Sequence, residues 1–94
     1  MKNAIILHAM DDSPENHWYP WLKSQLGQKG YEVWVPQLPE ADNPSIDVWV
    51  PYILKNGKFT EDTVIIGHSA GAAVILSLLE ELKVKINQAI LVAG

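Results

Sequence analysis

The stretch VIIGHSAGAAVIL, Val64 to Leu76, runs an apolar segment into Gly-His-Ser-Ala-Gly and then directly into a second apolar segment. A short β-branched run that stops at glycine reads as a buried strand, and the alanine- and leucine-rich run after it reads as a helix. A tight strand-to-helix turn needs glycine at Gly67, because the serine side chain and the preceding residue crowd the adjacent backbone. It needs glycine again at Gly71, so that the helix can pack close. Such a turn leaves the Ser69 hydroxyl at the carboxyl edge of a sheet and at the amino end of a helix, where the helix dipole and free N–H groups favour a developing oxyanion. Ser69 is therefore the candidate nucleophile, with Gly67, His68 and Gly71 forming the elbow around it. An ordinary glycine turn with a helix-capping serine is the competing reading of the same residues. Phosphate loops are excluded: no lysine follows the glycines as in a Walker A loop, and no Gly-x-Gly-x-x-Gly follows any strand.

Outward from this stretch, short apolar runs alternate with longer amphipathic ones, the pattern of a parallel sheet with crossover helices. Strands are expected at 4–8, 32–35, 63–66 and 88–92. Between the first two, Trp18, Trp21, Leu22 and Leu26 share a helical face, Pro20 is tolerable only in the first turn, and Gly30 is a stop signal. After the second strand, PQLPEADNP is a loop stiffened by three prolines, and Ser45 is placed to cap a short helix, IDVWVPYIL, that contains Pro51. Asn56-Gly57 marks a turn. The third helix, roughly 70–82, shows Ala73, Leu76, Leu79 and Leu82 at helical spacing. Of the four tryptophans, Trp34, inside a strand, is the one expected in the core.

Composition narrows the function. The 94 residues carry seven basic and eleven acidic side chains, a net charge of -4, which argues against nucleic acid or an anionic membrane as partner. With no cysteine, a thiol nucleophile, disulfides and cysteine metal ligands are all excluded. The opening MKNAIILHAMDD has an apolar run too short for a signal-peptide core or a membrane span, so a cytoplasmic protein is expected.

Three segments carry a resemblance that spans almost the whole chain: IILHAMDDSPENHWYPWLK, VPQLPEADNPSIDVWVPYI and TVIIGHSAGAAVILSLLE. The Asn-His-Trp with a second tryptophan three residues on, and the proline-rich loop before Ile46-Asp47-Val48-Trp49, are more specific than the elbow. The chain resembles the amino-terminal half of small serine hydrolases of the α/β-hydrolase superfamily related to retinoblastoma-binding protein 9. The resemblance implies an α/β three-layer sandwich with a parallel sheet of order 2-1-3-4, a truncated α/β-hydrolase fold occupying 1–94. Helix one is then expected on one face, and helices two and three on the other. It also implies that Ser69 attacks an ester, amide or peptide bond through an acyl-enzyme, without a cofactor or metal. The oxyanion hole would use the N–H of Ala70 and one from Ala9 or Met10. Retinoblastoma binding is associated with a Leu-x-Cys-x-Glu motif, and without cysteine no such partner is expected.

In this fold the triad runs serine, acid, histidine, so both partners of Ser69 should lie downstream. His8, His17 and His68 all lie upstream. His68 should point away from the hydroxyl, His17 is a partly exposed packing residue, and His8 shapes its loop rather than acting as base. Asp11 and Asp12 are candidates for a triad acid or, with His8, for metal ligands, but read better as a solvated acidic loop; Glu80 and Glu81 lie nearly three helical turns from Ser69. The expectation is a fragment of a longer gene product or one half of a split enzyme. Its outer sheet edge invites self-association or a complementing second chain, and a small molecule or peptide is the substrate. The rivals are an acyltransferase, a flavodoxin-like anion-binding domain and a non-catalytic binding or assembly module that keeps the elbow as a packed turn.

Overall fold

A computed structural model describes residues 2–93 of the chain. Four strands, β1 (Asn3–Leu7), β2 (Glu32–Trp34), β3 (Val64–His68) and β4 (Gln88–Val92), alternate with three helices, α1 (Tyr19–Gln28), α2 (Ile46–Asn56) and α3 (Ala70–Glu81). All strand pairs are parallel and the order is β2-β1-β3-β4, as expected. Side chains alternate across the sheet. Ile5, Leu7 and Ile65 face α2 and α3 in one core cluster with Trp49, Ile53, Ile75 and Leu78, whereas Ile6, Val64 and Ile66 face α1 with Tyr19. The result is the three-layer sandwich.

Local chemistry sets the helix ends. Gly30, at φ 90, closes α1: the Tyr31 N–H reaches the Leu26 carbonyl at 3.0 Å and the Gly30 N–H reaches the Gly27 carbonyl at 3.1 Å, the bond pair of a Schellman motif. Pro20 falls in the first turn, where its missing N–H costs nothing. Ser45 holds the N-cap position of α2, but its hydroxyl makes no capping bond. At the amino edge of the sheet, the Thr63 hydroxyl donates to Asn3 Oδ1 at 2.7 Å and the Asn3 amide donates to the Lys58 carbonyl at 2.9 Å, so the buried polar groups there are paired.

Three expectations about packing faces are corrected. Trp21 is 63% exposed, while Tyr19 is fully buried. At about 100° per residue, Tyr19, Leu22 and Leu26 lie to one side of Trp18 and Trp21 to the other, and the sheet takes the first side. On α3 the buried residues are Gly71, Ala72, Val74, Ile75 and Leu78, whereas Ala73, Leu76 and Leu79 of the expected stripe are exposed and Leu82 packs at the core margin. The helix is apolar nearly all round, so periodicity offers two stripes, and a backbone contact chooses between them. A side chain at Gly71 would collide with the Leu7 carbonyl and lie 2.8 Å from that of His8, so this glycine must face β1, bringing Val74, Ile75 and Leu78 to the sheet. Trp34 is only partly buried and stacks on Tyr52, with ring centroids 6.4 Å apart. Trp49 is the fully buried tryptophan, and its indole N–H donates to the Pro39 carbonyl at 2.7 Å.

The α1 face is less filled. Trp18 at the start of α1, Leu22 and Leu26 within it, and Val64, Ile66, Ile90 and Val92 of the sheet line an open apolar groove of about 490 Å³, and β4 forms the sheet edge among the described residues. No helix among them is long and apolar enough to cross a membrane.

Candidate active site

The β3–α3 junction is a single residue, Ser69, with φ 55 and ψ -109. A non-glycine residue in this region is strained, on the order of 1–3 kcal/mol, and persists only where its surroundings over-determine it. Here they do. The Ser69 N–H donates to the Val92 carbonyl at 2.9 Å, its carbonyl accepts from the Ala73 N–H at 3.1 Å, and a side chain at Gly67 would lie 2.7 Å from both the Gly71 backbone and Ile75. The Ser69 hydroxyl makes no capping bond to α3, which removes the helix-capping reading. Ser69 is exposed and sits at the end of an open, mainly apolar groove of about 390 Å³ lined by Ala72, Ala73, Leu76, Leu91 and Val92.

The β1–α1 loop lies beside this turn, because Leu7 is in register with Gly67 and the backbone of Gly71 packs on Leu7 and His8. Ala70 is the first residue of α3, where an N–H has no intrahelical acceptor. Ala9 and Met10 are not equivalent. The Ala9 N–H donates to the Tyr19 hydroxyl at 3.2 Å, whereas among the described residues the Met10 N–H meets no acceptor; the Met10 residue is exposed.

His8 is completely buried, edge-on to the Trp49 ring at 5.6 Å. Its Nδ1 lies 2.7 Å from the Ala9 carbonyl, which can only accept, and its Nε2 lies 2.9 Å from the Leu38 N–H, which can only donate. The ring is therefore the neutral Nδ1–H tautomer with both nitrogens engaged. It stitches the β1–α1 loop to the β2–α2 loop, as a loop-shaping residue should, and no lone pair is left for Ser69.

The acidic loop departs from expectation. Asp11 is exposed, with φ 57, but Asp12 is only 7% exposed. One Asp12 oxygen accepts from the Ser13 N–H at 3.0 Å and the Asn16 amide at 2.7 Å, and the other accepts from the Tyr19 hydroxyl at 2.6 Å, with His17 Nε2 at 3.3 Å. Burial raises the Asp12 pKa, but the bonds from Tyr19, Asn16 and Ser13 and the nearby His17 outweigh it and bring the carboxyl down to about 2. Burial and the bond to Asp12 push the Tyr19 phenol well above its usual range. Tyr19 also bonds His68 Nδ1 at 2.8 Å, so the His68 ring turns toward α1 and away from the Ser69 groove. The solvated-loop reading of Asp12 is thus corrected, and its pairing with Tyr19 has no signal in the sequence: Tyr19 sits between Trp18 and Pro20, and an aspartate seven residues before a tyrosine matches no recurrent pattern.

Among the described residues no histidine nitrogen lies within hydrogen-bond reach of Ser69, and no group of three or more histidine and carboxylate side chains is placed to hold a metal ion. Glu80 and Glu81 lie at the far end of α3, roughly 16 Å along the axis from Ser69.

Comparison with known proteins adds a family to this geometry. Residues 4–94 match the family described as serine hydrolase. The chain belongs to that family. It is 32% identical over 96 residues to the protein YdeN of Bacillus subtilis (strain 168), covering 99% of this chain and 50% of YdeN. It is 29% identical over 70 residues to the serine hydrolase RBBP9 of Rattus norvegicus, covering 73% of this chain and 38% of RBBP9. The crystal structure of the ydeN gene product superposes with a TM-score of 0.87 at 31% identity, over 97% of this chain and 50% of that one. This member of the serine hydrolase family thus spans half or less of the length of these relatives.

Proposed function

We propose that this chain carries the nucleophile and oxyanion elements of a serine hydrolase that cleaves an ester, amide or peptide bond through an acyl-enzyme. The observation that carries the reading is the left-handed backbone of Ser69 at a strand–helix junction that only glycines at 67 and 71 permit. In this reading Ser69 Oγ attacks the carbonyl carbon, its proton passes to a base, and the oxyanion is held by the N–H groups of Ala70 and Met10. Met10 is preferred to Ala9 because the Ala9 N–H is already engaged by Tyr19.

The base and its acid come from outside these residues, in a further segment or a second, complementing chain. The apolar groove beside α1 and the edge of β4 are the surfaces that such a complement, or a second copy, would cover. Without a base, only a residual on the order of 10³ to 10⁴ over water is expected from the oxyanion hole and positioning.

The test is intact mass after treatment with a fluorophosphonate, with Ser69→Ala as control. A stoichiometric adduct lost in the variant supports an activated serine. No adduct, alone or with an added carboxyl-terminal half, would favour the binding or assembly reading.

A further inference from the structure

One hydroxyl joins the two halves of the candidate site. Tyr19 Oη contacts the Ala9 N–H at 3.2 Å, Asp12 Oδ2 at 2.6 Å and His68 Nδ1 at 2.8 Å. A phenol has one proton and accepting lone pairs, and the directions of these three bonds follow from its partners. The Asp12 carboxylate is ionised and can only accept, so the Tyr19 proton goes to Asp12 across the shortest of the three contacts. The Ala9 N–H can only donate. With the phenol proton spent, the Tyr19 oxygen can only accept from His68, and His68 must carry its proton on Nδ1. The chain of donors runs from His68 through Tyr19 to Asp12.

We propose that the Tyr19 hydroxyl is a positioning group that clamps the Ala9–Met10 loop to the His68–Ser69 turn, fixing His68 as the Nδ1–H tautomer and leaving Met10 to supply the free N–H. The geometry supports a clamp rather than incidental contact. The Tyr19 side chain is fully buried, the carboxylate it meets is held at its other oxygen by Ser13 and Asn16, and His68 is boxed by the rings of His17 at 5.6 Å, Trp18 at 5.5 Å and Tyr19 at 6.0 Å. Ala9 follows β1 and His68 ends the neighbouring strand β3, and no other side chain among the described residues hydrogen-bonds to both segments. The consequence for reactivity rests on the hydrolase reading; the proton chain does not.

The test uses the whole chain at a pH where its histidines are neutral, with side-chain ¹⁵N spectra reporting which nitrogen of His68 carries the proton. In the unaltered chain, His68 should be Nδ1–H. Tyr19→Phe keeps the ring and removes the hub, so His68 should lose the Nδ1–H signature, and the Ala9 amide should exchange with solvent about tenfold faster. Asp12→Asn reverses the chain: the new amide donates to Tyr19, the phenol proton turns to His68 Nδ1, and His68 should become Nε2–H with Tyr19 still in place. A purely space-filling Tyr19 would move none of these signals. His68 found as Nε2–H in the unaltered chain, or as Nδ1–H in whichever of the two variants folds, overturns the clamp.

Fluorophosphonate kinetics separate this idea from the hydrolase reading. If the unaltered chain reacts, Tyr19→Phe should slow the maximal rate about tenfold without changing the concentration for half saturation; equal rates overturn the positioning role. If the unaltered chain fails to react, both alone and with an added carboxyl-terminal half, while the ¹⁵N pattern changes as described, the clamp stands and the nucleophile assignment falls.

Discussion

The two faces of the sheet are built by different means. On the face covered by α2 and α3, ten buried apolar residues form one cluster, with Trp49 and Ile53 of α2 and Val74, Ile75 and Leu78 of α3 seated on Ile5, Leu7 and Ile65. On the face covered by α1, the cluster is smaller, formed by the buried residues Ile6, Tyr19, Val64 and Ile66, and an open groove runs alongside. The helix there is held at the carboxyl end of the sheet by hydrogen bonds from Tyr19 and the Asp12 loop. The difference teaches that Ser69 stands between a closely packed layer and a thin layer braced by polar groups.

The largest effect is expected on the packed side. Trp49→Ala removes a fully buried side chain and its bond to Pro39, and should cost about 3–5 kcal/mol in urea unfolding. Leu22→Ala, at the half-open α1 face, should cost clearly less; equal losses at the two sites would break the comparison.

Acid acts on the thin side. Asp12 has a folded-state pKa near 2 against a reference of 3.8, so the unfolded chain binds its proton first as pH falls. Its contribution, about 2 kcal/mol, is complete above the unfolded pKa and is lost as pH drops from about 5 through the folded value. Asp12→Asn should flatten that part of the stability profile, measured by urea midpoints across the acid range, and a parent-like slope in the variant would place the titration elsewhere.

The smallest effect belongs to the open groove. Ile90→Lys, on a residue 39% exposed, should shift stability by no more than about 0.5 kcal/mol in urea unfolding. A loss of several times that size would mean that Ile90 belongs to a packed core and that the two faces are alike.

Much of this was legible in the residues. The three helices and the turn at Ser69 follow from apolar runs and glycine placement, which are local signals, and the strand order follows from the family resemblance and the crossover rule. What escaped was decided at a distance. The buried side of α3 depends on how closely Gly71 approaches Leu7, and an all-apolar helix does not announce that choice. The burial of Asp12 and Tyr19 depends on partners in His68 and Ala9, brought together by strand register. Trp34 lies in a strand and so reads as core, but β2 is an edge strand among the described residues and leaves it partly open.

The backbone at Ser69 bears on whether such a turn can be transplanted. Its left-handed conformation is enforced by the Val92 carbonyl from β4, by Ile75 from α3 and by the backbone of Leu7 and His8 pressed against Gly71. None of the first and last of these lies within the thirteen residues Val64 to Leu76. A graft of that segment alone into another loop would carry the letters of the motif without its geometry. To move the turn, one would have to move the two strands that frame it.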